Sequence, residues 1–405
     1  MQKSKRKLPT WAWVEIFAVA LVVILVLLSI FSPVSGHLAR RRAGSKGYQI
    51  PKTYSDTAYR WYYQNLSSRE KEAYRLIYAQ LPDYPSRIAI PYLNEKSLEK
   101  VFTAVSYDNP EFFCLDYKFG YSHSGSGDYF IPEYVISRST YEQRLKKLRS
   151  ATDTFLRDAP VNGTDYEKEL FVHDKLVEQD SYSDGDEDMI YTAYGALVNR
   201  SANCEGYSRS TAYLLKKLNV RSCVVTGIAT RHDGKKSNHM WNIVWLNSKP
   251  YMLDTTFDDY LIGNDDGDRG DDTTASHVYF NITSSDIAKN HTLDQSVFTK
   301  QCTDASQYYL TKNGLYFKSY DQAREVLPDK ITDALGRGER SIEMRFTNKD
   351  AFDEAKKNLL EGDDIYFMID RANLRNLRHF GNWVSNRHIS YITDGQFYVI
   401  RVYFQ

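Results

Sequence analysis

The stretch SANCEGYSRSTAYLL, residues 201–215, sets a cysteine where a loop turns into a helix. After Cys204, Tyr207, Thr211, Leu214, Leu215 and Leu218 recur at helical spacing, which predicts an amphipathic helix buried along one stripe. Ser201-Ala202-Asn203 and Gly206 mark its entry. A helix start favours the thiolate form of a cysteine, and the N–H groups of its first turn can receive an oxyanion. Glu205 and Tyr207 are the candidate substrate or oxyanion contacts from this segment.

Working outward, SNHMWNIVWL (237–246) and KPYMLDTTFDD (249–259) are rich in aromatic and β-branched residues and flank the polar pair Asn247-Ser248. They predict a β-hairpin with a two-residue turn. Leu246 then faces Lys249, and Trp241 faces Asp254. His239 lies two positions from Trp241, on the same face. Diagonal neighbours of this kind sit roughly 7–8 Å apart at the backbone, within reach of a His–carboxylate hydrogen bond. Cys204, His239 and Asp254 therefore supply a nucleophile, its base and a group to orient the base. The plainer reading is a buried, unreactive cysteine and a core histidine satisfied by Asp254.

The words around these residues favour chemistry. NCEGYSRSTAYLL, HMWNIVW and YMLDTTFDD resemble the bacterial transglutaminase-like family of papain-like thiol enzymes. YEKELFVHDKLVEQDSYS and YTAYGALVNRSANCEG resemble the family's approach to the nucleophile, and VYFNITSSDIAKNHTLD the segment that closes its core. The likeness covers residues 165–295, and SYDNPEFFCLDYKFGYS resembles a leader region. It implies catalytic roles for Cys204, His239 and Asp254. Trp241 is a candidate to shape the acyl pocket or, as an indole N–H donor, to assist the oxyanion, with packing beneath the imidazole as its plainer role. Pro250 and Phe257 depart from the pattern, at the start of the second strand and after the Asp.

The N-terminus bears on location. WAWVEIFAVALVVILVLLSIF, residues 11–31, carries only Glu15 as a charged residue and follows a basic tail, 1–10. At about 1.5 Å per residue it matches a bilayer core, which predicts one transmembrane helix. A cleaved signal peptide ending near Gly36 is the rival. Basic residues flank both sides nearly equally, so the large region that follows sets the orientation, with the enzyme outside a bacterial cell.

Lysine plus arginine and aspartate plus glutamate both number 52, so no basic field points to nucleic acid. Four cysteines leave no full disulfide framework if Cys204 is free. Residues 32–55 read as a juxtamembrane linker, 56–155 as a mainly helical leader, 156–302 as the catalytic core and 303–405 as a small α+β domain. In that last part RSIEMRFT, KDAFDEAKKNLL and IYFMIDRA read as strand, helix, strand, before a hairpin around Asp394-Gly395.

NDDGDRGDD (264–272) has calcium-loop carboxylates, but Arg269 and Ala275 stand where glycine and glutamate belong, so a solvated loop is expected. DGDEDM (184–189) reads as an exposed charged loop. The other histidines lie without ligand spacing, so neither metal nor cofactor is expected. The fold class is α+β with a papain-like, transglutaminase-like core. The function expected is acyl transfer or hydrolysis on amide bonds of peptide, protein or peptidoglycan at the cell surface. The alternative is a catalytically silent cell-wall or peptide-binding module on the same fold.

Overall fold

In the computed structural model, the described residues are 60–404 apart from 125–126, 232–233, 260–274, 295–299, 377–383 and 385–388. The apolar segment 11–31, the linker 32–55 and the acidic stretch 264–272 lie outside them. Among the described residues no helix is long and apolar enough to cross a membrane.

After the one-turn helix Trp61–Gln64, the leader continues with α1 (Ser68–Gln80), opened by a Ser67–Glu70 capping box, which satisfies two end donors reciprocally. Strand β1 (Ile88–Ile90), α2 (Glu95–Asp108), and the hairpin β2 (Leu115–Ser124) and β3 (Gly127–Tyr134) follow. The leader thus holds a three-stranded sheet, ordered β1-β3-β2, beside the helices read from sequence. Helix α3 (Arg138–Phe155) leads to α4 (Asp165–Gln179), and the two-residue strands β4 (Ser181–Tyr182) and β5 (Ser201–Ala202) bracket the acidic loop, which is exposed as expected.

The core is α5 (Cys204–Lys217) laid against a five-stranded sheet ordered β10-β6-β7-β8-β9. Its strands are β6 (Arg221–Thr230), β7 (Lys236–Leu246), β8 (Lys249–Leu253), β9 (Phe280–Ile282) and β10 (His291–Leu293). The short helix α6 (Thr255–Asp258) follows β8. Trp241, Ile243 and Trp245 of β7 join leader aromatics such as Trp61 in one cluster, while Val244 and Leu246 join Tyr213 and Leu214 of α5 in another. With both faces covered, the strand is apolar from Met240 to Leu246 except at the buried Asn242. Tyr62 donates to the Val224 carbonyl at 2.7 Å, and Trp61 lies 4.8 Å from Trp245, so leader and core share packing.

The β7–β8 register pairs Leu246 with Lys249 and Asn242 with Leu253, as the two-residue turn requires. Asn247 (φ 51°) and Ser248 (φ 66°) are both left-handed, the geometry of a type I′ turn. Pro250 costs this hairpin little. The turn-closing pair exchanges hydrogen bonds and the next pair does not, so the Pro250 nitrogen points away from β7. On that side β9 pairs only from Met252 onward.

The C-terminal part is a sheet ordered β11-β12-β14-β13. Its strands are β11 (Tyr316–Phe317), β12 (Ser341–Phe346), β13 (Ile389–Asp394) and β14 (Val399–Phe404). It carries α7 (Tyr320–Gly336), α8 (Lys349–Ala355) and α9 (Asp364–Asn376). The strand reading of IYFMIDRA is corrected here, because it lies within α9. Ile365, Met368, Ile369 and Ala372 are buried at helical spacing, while Phe367 is 71% exposed.

Candidate active site

Cys204 is the first residue of α5 and is half-buried. The Asn203 side chain caps the helix, accepting from the Glu205 and Gly206 N–H groups at 3.0 and 3.2 Å. Those donors are spent, which leaves the Cys204 N–H as the first-turn donor outside the cap. Gly206 is needed for close approach, since a Cβ there would sit 2.3 Å from the Ile190 carbonyl oxygen. The Ser208 hydroxyl lies between the Cys204 and Met240 carbonyls, at 2.8 and 2.7 Å, with one proton to share between them, and Asn242 donates to the Ser208 carbonyl, so α5 is tied to β7.

His239 stands near the entrance of β7, with Nε2 2.7 Å from Asp254 Oδ2 and the Cys204 sulfur near enough for its charge to act on the ring. Asp254 engages Nε2, so Nδ1 is left for the thiol. Burial alone would lower the imidazole, yet the Asp254 carboxylate and the Cys204 sulfur push it up to about 10. Asp254 is itself fully buried. Burial favours its neutral acid, but hydrogen bonds and charge from His239 and His291 hold the carboxyl well below its usual range. It caps α6, with Oδ1 accepting from the Thr256 and Phe257 N–H groups, both at 3.1 Å.

One neighbour escaped the sequence reading. His291 Nε2 lies 3.0 Å from the same Asp254 Oδ2, so two imidazoles share one carboxylate oxygen. Burial holds His291 below the ordinary imidazole range. Asn290 Oδ1 lies 2.6 Å from its Nδ1, while the Asn290 NH₂ donates to the Tyr279 hydroxyl at 2.7 Å. The available signal was the histidine in KNHTLD, whose strand β10 pairs with β6 opposite β7.

The remaining predicted contacts divide. Trp241 is fully buried beneath the imidazole, ring centroids 5.9 Å apart at 21°, and its Nε1 has no hydrogen-bond partner among the described residues. Glu205 accepts from Arg209 Nε at 2.7 Å and from the Tyr117 hydroxyl at 2.9 Å, linking the nucleophile's helix to β2. Tyr207 is fully buried and donates to Asp259 at 2.5 Å, a packing position away from the cleft. Asp258 faces His173 and the Tyr279 N–H, not His239. The histidines without ligand spacing do converge in space: His173, Asp174 and His277 form a second cluster.

Residues 158–254 match the family model of the Transglutaminase-like superfamily. That span, less than half of the chain, is similar to this superfamily. That match ends at Asp254 and includes Cys204 and His239. Solved structures similar to it include a candidate cysteine protease from Cytophaga hutchinsonii, at 10% identity and a TM-score of 0.23, covering 34% of this chain and 61% of that one. Another is described as a TGase, at 12% identity and a TM-score of 0.25, covering 38% and 47%. The chain spans less than two thirds of either structure. No curated protein matches.

Proposed function

We propose that this chain is a thiol acyltransferase or hydrolase acting on amide bonds. The observation that carries the reading is the 2.7 Å His239–Asp254 hydrogen bond across the hairpin, on a strand packed against the helix that Cys204 begins. The Cys204 proton rests on His239 Nδ1 as part of an imidazolium, and the thiolate attacks a carbonyl carbon. The tetrahedral oxyanion is met by the Cys204 N–H. His239 then returns the proton to the leaving amine, and a thioester remains on Cys204. Asp254 holds Nε2–H throughout, which fixes the tautomer and stabilises the imidazolium. An amine or a water molecule, deprotonated by His239, attacks the thioester and frees the thiol.

The substrates proposed are peptide, protein or peptidoglycan stems outside a bacterial membrane, with residues 11–31 as anchor. The apolar length of that segment supports this placement. Mass spectrometry of model peptides and cell-wall fragments incubated with the protein tests the reaction. Mass gain by joining marks acyl transfer, gain of water marks hydrolysis, and unchanged fragments that still bind, with an inert Cys204 thiol, mark a binding module instead.

A further inference from the structure

The second histidine cluster lies behind the catalytic hairpin and takes no part in the proposed chemistry. Asp174 Oδ1 is 2.8 Å from His173 Nδ1 on the same helix α4 and 2.8 Å from His277 Nε2, 103 positions along the chain. The three residues' potential ligand atoms all fall within 4.8 Å of one another. Both imidazoles are buried, whereas the Asp174 side chain is 32% exposed. The pocket of donors is therefore fixed on two sides and open on the third.

The chemistry of His173 narrows what this cluster can hold. Its Nδ1 faces Asp174 and its Nε2 faces Asp258 Oδ2 at 3.1 Å, so each nitrogen meets a carboxylate. A neutral ring carries one proton, and the other nitrogen would set a lone pair against an anion. A cation at Nδ1, proton or metal, removes that conflict. The Nε2–carboxylate contact is also the outer support that metal-bound histidines have, fixing tautomer and ring direction. His277 is held as firmly, stacked on Tyr309 with centroids 3.6 Å apart at 8°. Glu178, exposed one helical turn after Asp174, is close enough for its charge to interact with Asp174, His173 and His277.

We propose that His173, Asp174 and His277 bind a divalent transition-metal ion of the zinc type, with Glu178 or water completing the shell. Two imidazoles and a carboxylate are borderline N/O donors that suit Zn²⁺. Metal–ligand distances of about 2.0–2.2 Å require the Asp174 carboxylate to back out from between the two rings. It is the partly exposed member of the three, so it has room to do so. Three parts of the molecule meet here. Asp258 closes the turn opened by Asp254, its N–H donating to the Asp254 carbonyl at 3.2 Å. Glu343 of β12 accepts the His277 N–H at 3.1 Å and the Ser276 hydroxyl at 2.8 Å. A bound ion thus braces α4, the turn carrying the triad's carboxylate, and the C-terminal sheet.

The test uses the full-length chain, stripped with a chelator and titrated with Zn²⁺ and Co²⁺. The expected result is uptake of about one equivalent, a raised thermal midpoint with Zn²⁺, and a Co²⁺ spectrum with ligand-field bands but no thiolate charge-transfer band. His277→Gln keeps a side-chain donor for Asp174 but is a poor ligand, and should weaken uptake at least roughly 10-fold. Asp174→Asn should do the same if the first variant folds badly. No uptake, uptake unchanged in both variants, or a cobalt–thiolate band placing the ion on Cys204 would each overturn the proposal. None of these readouts depends on turnover, so they stand apart from the proposed enzyme activity.

Discussion

Replacing Asp254 with asparagine tests the site where its geometry is most constrained. The carboxylate has four donors: two backbone N–H groups on Oδ1, and His239 and His291 on Oδ2. An asparagine that keeps the α6 cap must aim its NH₂ at two imidazole nitrogens. His239 can accept that hydrogen bond only by moving its proton to Nδ1, the atom that must receive the thiol proton. The imidazole, now held near 10, then falls toward its ordinary value of about 6.5, a difference worth up to about 5 kcal/mol. Turnover should drop roughly 10²–10⁴-fold, or about 3–5 kcal/mol in the barrier. The opposed donors should cost about 1–3 kcal/mol of stability, leaving the fold intact. The assay is the rate of iodoacetamide alkylation at Cys204 near pH 6, with peptide mapping, alongside circular dichroism. A folded Asp254→Asn protein that alkylates within about threefold of the parent rate would refute the reasoning.

The other thiols give a built-in control. Burial raises Cys114 to about 11 and Cys302 to about 12, and raises Cys223 as well, so all three should label far more slowly than Cys204 at pH 7. Gly206→Ala should lose about 1–3 kcal/mol in urea unfolding, because its new methyl meets the Ile190 carbonyl. Equal stability would mean that helix and loop can separate freely. The pH profile follows from signs. The raised His239 contributes stability that is fully present below about pH 6.5 and lost as pH rises through about 10. The depressed Asp254 contributes stability present above about pH 3.9 and lost as pH falls toward its folded value. NMR titration of His239 should show a lower value in Cys204→Ala, where the sulfur's contribution is gone.

The hairpin and the helix start were legible because their signals are local. A two-residue turn and strand parity fix which residues of 239–254 share a face, and that register is the one found. Pro250 looked like a departure, but it falls on a non-bonded pair beyond the reach of β9. What the sequence hid depends on partners far along the chain. Helix α5 reads as amphipathic, yet Arg209 is buried because Glu205 and Ser106 satisfy it, the latter from α2. His291 needs β10 to fold back onto β6 before it meets Asp254. His277 reaches Asp174 only when the turn before β9 packs on α4. IYFMIDRA misled through its β-branched and aromatic content, whereas its burial follows a 3.6-residue period.

The central claim is that Cys204 forms an acyl-enzyme with His239 as its base. Intact-protein mass spectrometry after brief reaction with a p-nitrophenyl ester near neutral pH tests it most directly. The account predicts a single acyl adduct that peptide mapping places on Cys204, absent in Cys204→Ala and strongly slowed in His239→Gln. No adduct at an accessible Cys204, or one formed equally fast without the imidazole, would contradict it.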